Sequence, residues 1–218
     1  MIFLDLIQTT TTVLTAISQF ATAFSTAKPA VMGMAERLTG RLSYENLALD
    51  YVFDIRDPGG RRATIKRRQR VRFRVEDSGV IRDLVWGEGN PLAGYAVVGA
   101  RCAGVRQEGS KRVVLLALPR KPSRGDQATV ATSRTVRDPA VGPAGYAESW
   151  VERPTAKLSL KVVFPRSRPP TEAHLVTVPT SSDSRRLKLR YGSDGRPYLS
   201  WRKRKPHTFT TYSMRWAW

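Results

Sequence analysis

The sequence predicts a mainly β protein: an antiparallel β-sandwich, or a partly open barrel, preceded by one or two N-terminal helices. Three observations carry this. Apolar spacing changes from a helical period near 3.6 to a strand period of 2 at about residue 44. About ten alternating segments follow at intervals of 8–14 residues, punctuated by Pro, Gly and Asp. The chain has 218 residues, 41% hydrophobic, with one cysteine, which suits a real core without a disulfide staple. The expected division is a helical segment over residues 1–42 and a β-sandwich domain over residues 43–218.

Within the first segment, residues 1–27 carry one charge, Asp5. Leu6, Val13, Ile17, Phe20 and Phe24, with Thr10 between the first two, alternate at spacings of 4 and 3. That is the seam of a helix that packs on a partner, so these five residues form the expected interaction face. The partner is a second copy of the chain or another protein. Seven Thr, two Gln and two Ser dilute the run below the roughly 20 apolar residues a membrane crossing needs. A basic start, as in a secretory signal, is missing before Lys28. Lys28-Pro29 ends the helix, and residues 31–42 can form a second.

The β region opens with a hairpin. Leu47, Leu49, Tyr51, Phe53 and Ile55 alternate with more polar residues. Asp57-Pro58-Gly59-Gly60 turns the chain, and residues 62–75 return. There Ala63, Ile65, Val71, Phe73 and Val75 sit on odd numbers, and Lys66, Arg68, Arg70, Arg72 and Arg74 on even ones. A three-residue loop with glycine in the left-handed region sets the register. It places Phe53 opposite Ile65, Leu47 opposite Val71 and Asp50 opposite Arg68, with Asp54 diagonal to Lys66. Arg70, Arg72 and Arg74 then face no acid. Arg67 and Gln69 interrupt the apolar face, so a bulge or strand end is expected near them.

Further strands are expected at residues 80–86, 111–118 (a central strand), 127–136, 146–151, 156–164, 175–178, 185–191, 198–201 and 211–218. In the last, Tyr212, Met214, Trp216 and Trp218 share a face. Residues 87–110, with six glycines, read as a long surface loop offering Tyr95, Arg101 and Arg106 as contacts. The order Gly109-Ser110-Lys111 is wrong for a phosphate-binding loop.

The charge of +19 points to an acidic partner, whether nucleic acid, anionic membrane or an acidic protein surface, and it is concentrated. Residues 61–74 carry eight bases and no acid; residues 185–218 carry ten bases and only Asp194. Together they hold 17 of the 19 net units. The candidate polyanion-binding residues are Lys66, Arg68, Arg70, Arg72 and Arg74, then Arg186, Lys188 and Arg190, then Arg202, Lys203, Arg204 and Lys205. If these strands share a sheet, they form one cationic surface that binds phosphates by releasing counterions. If not, they are solvated faces. No helix-turn-helix, zinc finger or RNA-binding aromatic motif gives sequence readout.

Chemistry is sparse. Two histidines, His174 and His207, cannot build a multi-histidine metal site, so neither metal nor cofactor is expected. Cys102 has no local histidine partner, and as the one cysteine it fits a reducing, cytoplasmic setting. Asp50 and Asp54 are assigned to cross-strand pairing, Asp57 to its turn, and Arg124-Gly125-Asp126 to a plain turn. Glu148 and Glu152 lack a nuclease-like lysine. The chain is read as a non-enzyme.

Five marks recur: Tyr51-x3-Ile55-x-Asp57-Pro58-x-Gly60; Trp86-Gly87-x-Gly89; Gly125-Asp126; Phe164-Pro165-x2-Arg168-Pro169-Pro170; and Trp201…Pro206…Tyr212-x2-Arg215-Trp216-x-Trp218. By these the chain resembles a group of bacterial β-rich proteins with a short helical N-terminus. The resemblance implies a β fold and a bacterial source, and no activity. The leading expectation is a non-enzymatic interaction module whose helix self-associates or docks on a partner. A sequence-nonspecific nucleic-acid-binding protein is the alternative, and peripheral attachment to an anionic membrane surface is the third reading.

Overall fold

A computed structural model describes residues 43–76, 79–86, 92, 94–109, 111–138, 140–178 and 184–218. The expected N-terminal helices, with Leu6, Val13, Ile17, Phe20 and Phe24, lie outside these residues. The β unit spans Ser43–Trp218. In chain order its strands are β1 (Tyr44–Ile55), β2 (Arg62–Phe73), β3 (Val80–Val85), β4 (Ala96–Val98), β5 (Arg101–Glu108), β6 (Lys111–Ala117) and β7 (Gln127–Arg137). Then come β8 (Ala144–Val151), β9 (Lys157–Val163), β10 (Glu172–Val178), β11 (Arg185–Arg186), β12 (Arg190–Tyr191), β13 (Pro197–Arg204) and β14 (Thr210–Ala217).

The protein is mainly β, and its sheets do not close into a barrel. A seven-stranded sheet runs β12-β13-β9-β1-β2-β7-β4. A four-stranded sheet runs β11-β10-β14-β8, and a three-stranded sheet runs β3-β6-β5. β6 is central, as its unbroken apolar run requires. The expectation of a purely antiparallel arrangement needs correction, because β1 and β9 pair in parallel. About a hundred residues separate those strands, so a crossover links them where a hairpin would force antiparallel pairing.

The hairpin explains the rest. Gly60 adopts φ 71°, and its N–H donates to the Asp57 carbonyl at 2.9 Å. The expected register holds from Phe53↔Ile65 to Asp50↔Arg68. It then slips at a bulge between Asn46 and Ala48. The bulge lies in β1 and not beside Arg67 and Gln69, so Val71 meets Asn46 where Leu47 was expected. One extra residue swaps faces. Tyr44 and Asn46 now point inward, and Glu45 points outward.

The odd-numbered residues of β2 therefore face inward along its whole length. Ala63 and Ile65 join a core with Phe53, Leu160, Val162, Tyr212, Met214 and Trp216, beneath the four-stranded sheet. Val71 and Phe73 join a second core with Tyr44, Ile81, Val114 and Leu116, beneath the three-stranded sheet. Both small sheets thus pack on one face of the large sheet, over opposite ends of β2. Each large apolar side chain fully buried there contributes about 1.5–3 kcal/mol. In the first core, Phe164 meets Trp216 and Trp218 edge-on, with centroids 5.3 and 5.5 Å apart.

Two other expectations are corrected. Residues 87–110 are not one loop, since β4 extends the large sheet and β5 pairs with β6. Residues 185–191 are not one strand. β11 pairs with β10 in the four-stranded sheet, while β12 pairs with β13 at the edge of the seven-stranded one.

Gly60 generates a test. A Cβ there would lie 2.1 Å from the Ala140 carbonyl oxygen, in addition to the left-handed backbone. Gly109 has φ 62° but open space around it. Gly60→Ala is expected to cost at least about 2 kcal/mol in urea unfolding, and Gly109→Ala only about 1 kcal/mol. Equal losses would contradict the close approach of Gly60 to Ala140.

Candidate functional site

The outer face of the large sheet carries the even-numbered bases of β2. Register extends this face across the sheet. One row reads Arg202–Ser159–Asp50–Arg68–Ala131 over β13, β9, β1, β2 and β7. The next reads Ser200–Lys161–Val52–Lys66–Ser133. On the other side of the first row, Arg204 pairs with Lys157 and Arg70 with Ala48. Lys66, Arg68, Arg70, Lys157, Arg202 and Arg204 are exposed, and Lys161 is half-buried. Two basic ridges, on β2 and β13, stand three strand spacings apart, about 14 Å at ~4.8 Å each. Between them lie small residues, two lysines and one carboxylate, Asp50.

The remaining sequence candidates separate. Arg72 and Arg74 do meet an acid, because the bulge brings Glu45 outward. Arg72 Nε donates to Glu45 Oε1 at 2.8 Å and Arg74 Nε to Oε2 at 3.1 Å, and both Nη2 atoms also bond it. The Arg74 hydrogen bond, with Arg72 assisting, holds the Glu45 carboxyl below the usual range although burial opposes it. Arg186 belongs to the other sheet, opposite His174. Lys188 is exposed between the sheets' edges, and Arg190 extends the outer face beside Tyr198. Lys203 turns inward, its Nζ 5.6 Å from the Tyr212 ring centroid. Lys205 occupies a turn with φ 46°. The expected patch of Arg70, Arg72 and Arg74 beside Arg186, Lys188 and Arg190 is therefore replaced by one that joins β2 to β13.

Of the two acids read as pairing partners, Asp50 lies opposite Arg68 as expected, and Asp54 is satisfied differently. Asp54 accepts from Arg196 Nη2 at 2.7 Å and Arg56 Nε at 3.2 Å, and Lys66 instead faces Val52. Asp57 Oδ2 accepts the Arg61 N–H at 2.7 Å, as its turn requires. Arg124-Gly125 forms a turn closed by the Asp126 N–H donating to the Ser123 carbonyl at 3.1 Å.

Beneath the face, the inner side of β2 carries Arg67 and Gln69 between the two cores. Arg67 Nη1 lies 3.0 Å from Asp83 Oδ1, and both side chains are more than nine-tenths buried. Asp83 Oδ2 accepts from Tyr95 Oη at 2.7 Å and Thr132 Oγ1 at 2.9 Å. Tyr95 is thus a structural partner and not the loop contact expected. Burial, then the Asp83 charge, pushes its phenol well above the ordinary tyrosine range. Gln69 Nε2 donates to Asn46 Oδ1 at 2.6 Å, and Asn46 Nδ2 to Thr155 Oγ1 at 3.0 Å. Arg134 Nη2 donates to the Trp86 carbonyl at 2.9 Å. Sequence reading flagged Arg67 and Gln69 as anomalies but had no means to supply Asp83.

A different cluster lies on the four-stranded sheet. His174 Nε2 is 2.8 Å from Glu172 Oε1, and Ser184 Oγ is 3.0 Å from His174 Nδ1. The order copies nucleophile, base and acid. Yet Glu172 is 58% exposed and His174 33%, and activation of a hydroxyl needs a held, water-poor geometry. Among the described residues no group of three His, Cys, Asp or Glu could hold a metal, and no helix is long and apolar enough to cross a membrane.

No family model matches the chain, and no curated protein matches it. Among solved structures, the M1 zinc metallopeptidase from Deinococcus radiodurans is similar at TM-score 0.47 and 15% identity, over 80% of this chain and 43% of that one. A protein from Parabacteroides distasonis is similar at TM-score 0.49 and 10% identity, over 81% and 40%. The chain spans less than half the length of each. At TM-scores below 0.5 these likenesses carry no argument.

The buried pair generates a test. Arg67→Met strands the Asp83 charge and is expected to cost about 3–5 kcal/mol in urea unfolding. Adding Asp83→Leu is expected to restore part of that loss. A single-variant loss under about 1 kcal/mol would contradict the assigned pairing.

Proposed function

We propose that the chain is a non-enzymatic binding module whose open sheet face holds a nucleic acid without reading its sequence. The observation that supports this is the register across β13, β9, β1 and β2. It gathers bases from two segments more than a hundred residues apart onto one exposed face. Arginine predominates on the two ridges, and its planar fork suits phosphate oxygens. The small side chains between the ridges leave a backbone room to approach. Neutralising each phosphate releases condensed counterions, which supplies affinity with no base contacts. The exposed, unpaired Cys102 is consistent with a reducing compartment. Residues 1–42 are proposed to attach this module to a second copy or a partner through Leu6, Val13, Ile17, Phe20 and Phe24.

Binding to duplex DNA is expected to weaken steeply with salt, log K falling by about 0.9 per neutralised phosphate against log salt. Arg68→Glu with Arg70→Glu, and Arg202→Glu with Arg204→Glu, are each expected to lower affinity at least tenfold and to flatten that slope. Arg186→Glu is expected to change neither. Fluorescence anisotropy against salt reads both quantities. Equal losses at Arg186 would disperse the proposed face, and binding to anionic vesicles with none to nucleic acid would replace the reading with a membrane one.

Glu45→Gln gives the opposite sign. It frees Arg72 and Arg74, so affinity is expected to rise and the salt slope to steepen by up to about 1.8 units. Because the folded carboxyl titrates below its ordinary range, its contribution to stability is present above the unfolded value. That contribution is lost as pH falls through the folded one. The wild-type face is therefore expected to gain affinity on acidification below the ordinary carboxylate range, and the Glu45→Gln face to lack that gain.

A further inference from the structure

The three sheets have six terminal strands, and five of them are short, occupied or largely covered. β4, β11 and β12 are two or three residues long. In β3 the Arg82 N–H donates to Tyr44 Oη at 3.2 Å, and the Arg82 carbonyl accepts from Arg67 Nη2 at 3.3 Å. β8 has eight residues but only two are exposed. β5 differs. It has eight residues, seven of them exposed, and neither proline nor lysine. Among the described residues it pairs on one side only, with β6. Its free edge is a row of backbone donors and acceptors, the feature through which sheets of separate chains join. Arg101 and Arg106, offered by the sequence as contacts, both lie on this strand.

We infer that β5 pairs antiparallel with β5 of a second copy about a two-fold axis at Val105, joining two three-stranded sheets into one of six. The side chains carry the argument. Ala103 is the extra residue of the bulge between Cys102 and Gly104. The other seven positions alternate: Cys102, Val105 and Gln107 share the face of Leu116 and Val114, while Arg101, Gly104, Arg106 and Glu108 take the opposite face. Turned end for end about Val105, the strand sets Arg101 opposite Glu108, Gly104 opposite Arg106 and Cys102 opposite Gln107, each pair on one face. Val105, 46% exposed, meets its own copy. Arg106 lies over Gly104, where a Cβ would meet nothing within 4 Å. Glu108 Oε2 accepts from Arg82 Nη2 at 2.7 Å, which holds the carboxylate at the edge, and Oε1 lies 3.9 Å from Arg106 Nη2. Shifting the axis by two positions sets Arg101 against Arg106 one way and Arg106 against itself the other. Like charges directly opposite are unfavourable. Shifting it by one opposes residues of different faces. A two-fold contact uses the same patch on both copies, as this strand allows.

The test uses the full chain, whose one cysteine is Cys102. Gln107→Cys sets a second thiol opposite Cys102 of the other copy, within disulfide reach. The two thiols of one chain stand about 15 Å apart along the strand and cannot join, and Cys102 stands equally far from Cys102 of the other copy. Oxidation with diamide is expected to turn Gln107→Cys into a doubly linked dimer about tenfold faster than it links the wild type, because pairing raises the effective thiol concentration. Peptide mass spectrometry is expected to find linkage between positions 102 and 107 only. Adding Arg101→Glu sets two acids opposite each other and is expected to slow linkage about fivefold. Adding Glu108→Arg to that protein is expected to restore the rate. Positions 101, 107 and 108 are all exposed, so these variants keep the fold. Association through residues 1–42 alone favours no particular linkage on β5 and ignores the charge exchange, so failure here is distinct from failure of that reading or of nucleic-acid binding. A monomer after oxidation, mixed linkages, or a rate unmoved by Arg101→Glu would each overturn the pairing.

Discussion

The buried pair of Arg67 and Asp83 is the constraint on which the arrangement of the sheets depends. It sits where β2 passes from one hydrophobic core to the next, and Asp83 comes from the small sheet that covers only the second core. A buried ion pair adds little net stability, since desolvating both charges offsets their attraction. Its effect is on specificity. Only one placement of the three-stranded sheet satisfies Arg67, and the same placement supplies Asp83 with Tyr95 and Thr132. Any sliding of that sheet along β2 would leave a charge buried alone. The pair thereby ties the three-stranded sheet to one position on β2.

The outer face follows from the same strand. With period 2, a β2 whose odd residues all point inward must present every even residue outward. Burying Arg67 and Gln69 without a break keeps Lys66, Arg68 and Arg70 in one line. An interruption at Arg67 would have turned part of that line toward the core. The inner polar seam and the outer basic ridge are two sides of one uninterrupted strand. The parallel partner β9, carrying Lys157 and Lys161, and β13, carrying Arg202 and Arg204, then widen the ridge into a face.

Much of the hairpin was legible. Alternation identified both strands, Pro58-Gly59-Gly60 identified the loop, and parity placed Phe53 opposite Ile65. Legibility stopped at the bulge between Asn46 and Ala48. A bulge is a response to what lies on each side of the sheet, here Tyr44 in the second core and Asn46 bonded to Gln69 and Thr155. Neither lies nearby in sequence. Glu45 consequently reached Arg72 and Arg74, which local reading had left unpaired. Residues 185–191 failed for a related reason: both ends alternate like a strand, but each pairs with a different sheet, and alternation carries no information about the partner.

The sequence by itself determined the mainly β class, the hairpin register near its turn, the inward apolar set and the two segments that hold the charge. These depend on side-chain period and turn chemistry, which act over a few residues. Only the tertiary structure decided that β1 and β9 run parallel, that Asp83 answers Arg67, and that Arg202 and Arg204 share a face with Arg68 and Arg70. Those outcomes depend on which strands become neighbours. Neighbour choice is settled by burying two cores and one polar seam together, over separations that run from 16 residues for Arg67 and Asp83 to more than a hundred for β1 and β9, and no local pattern encodes it.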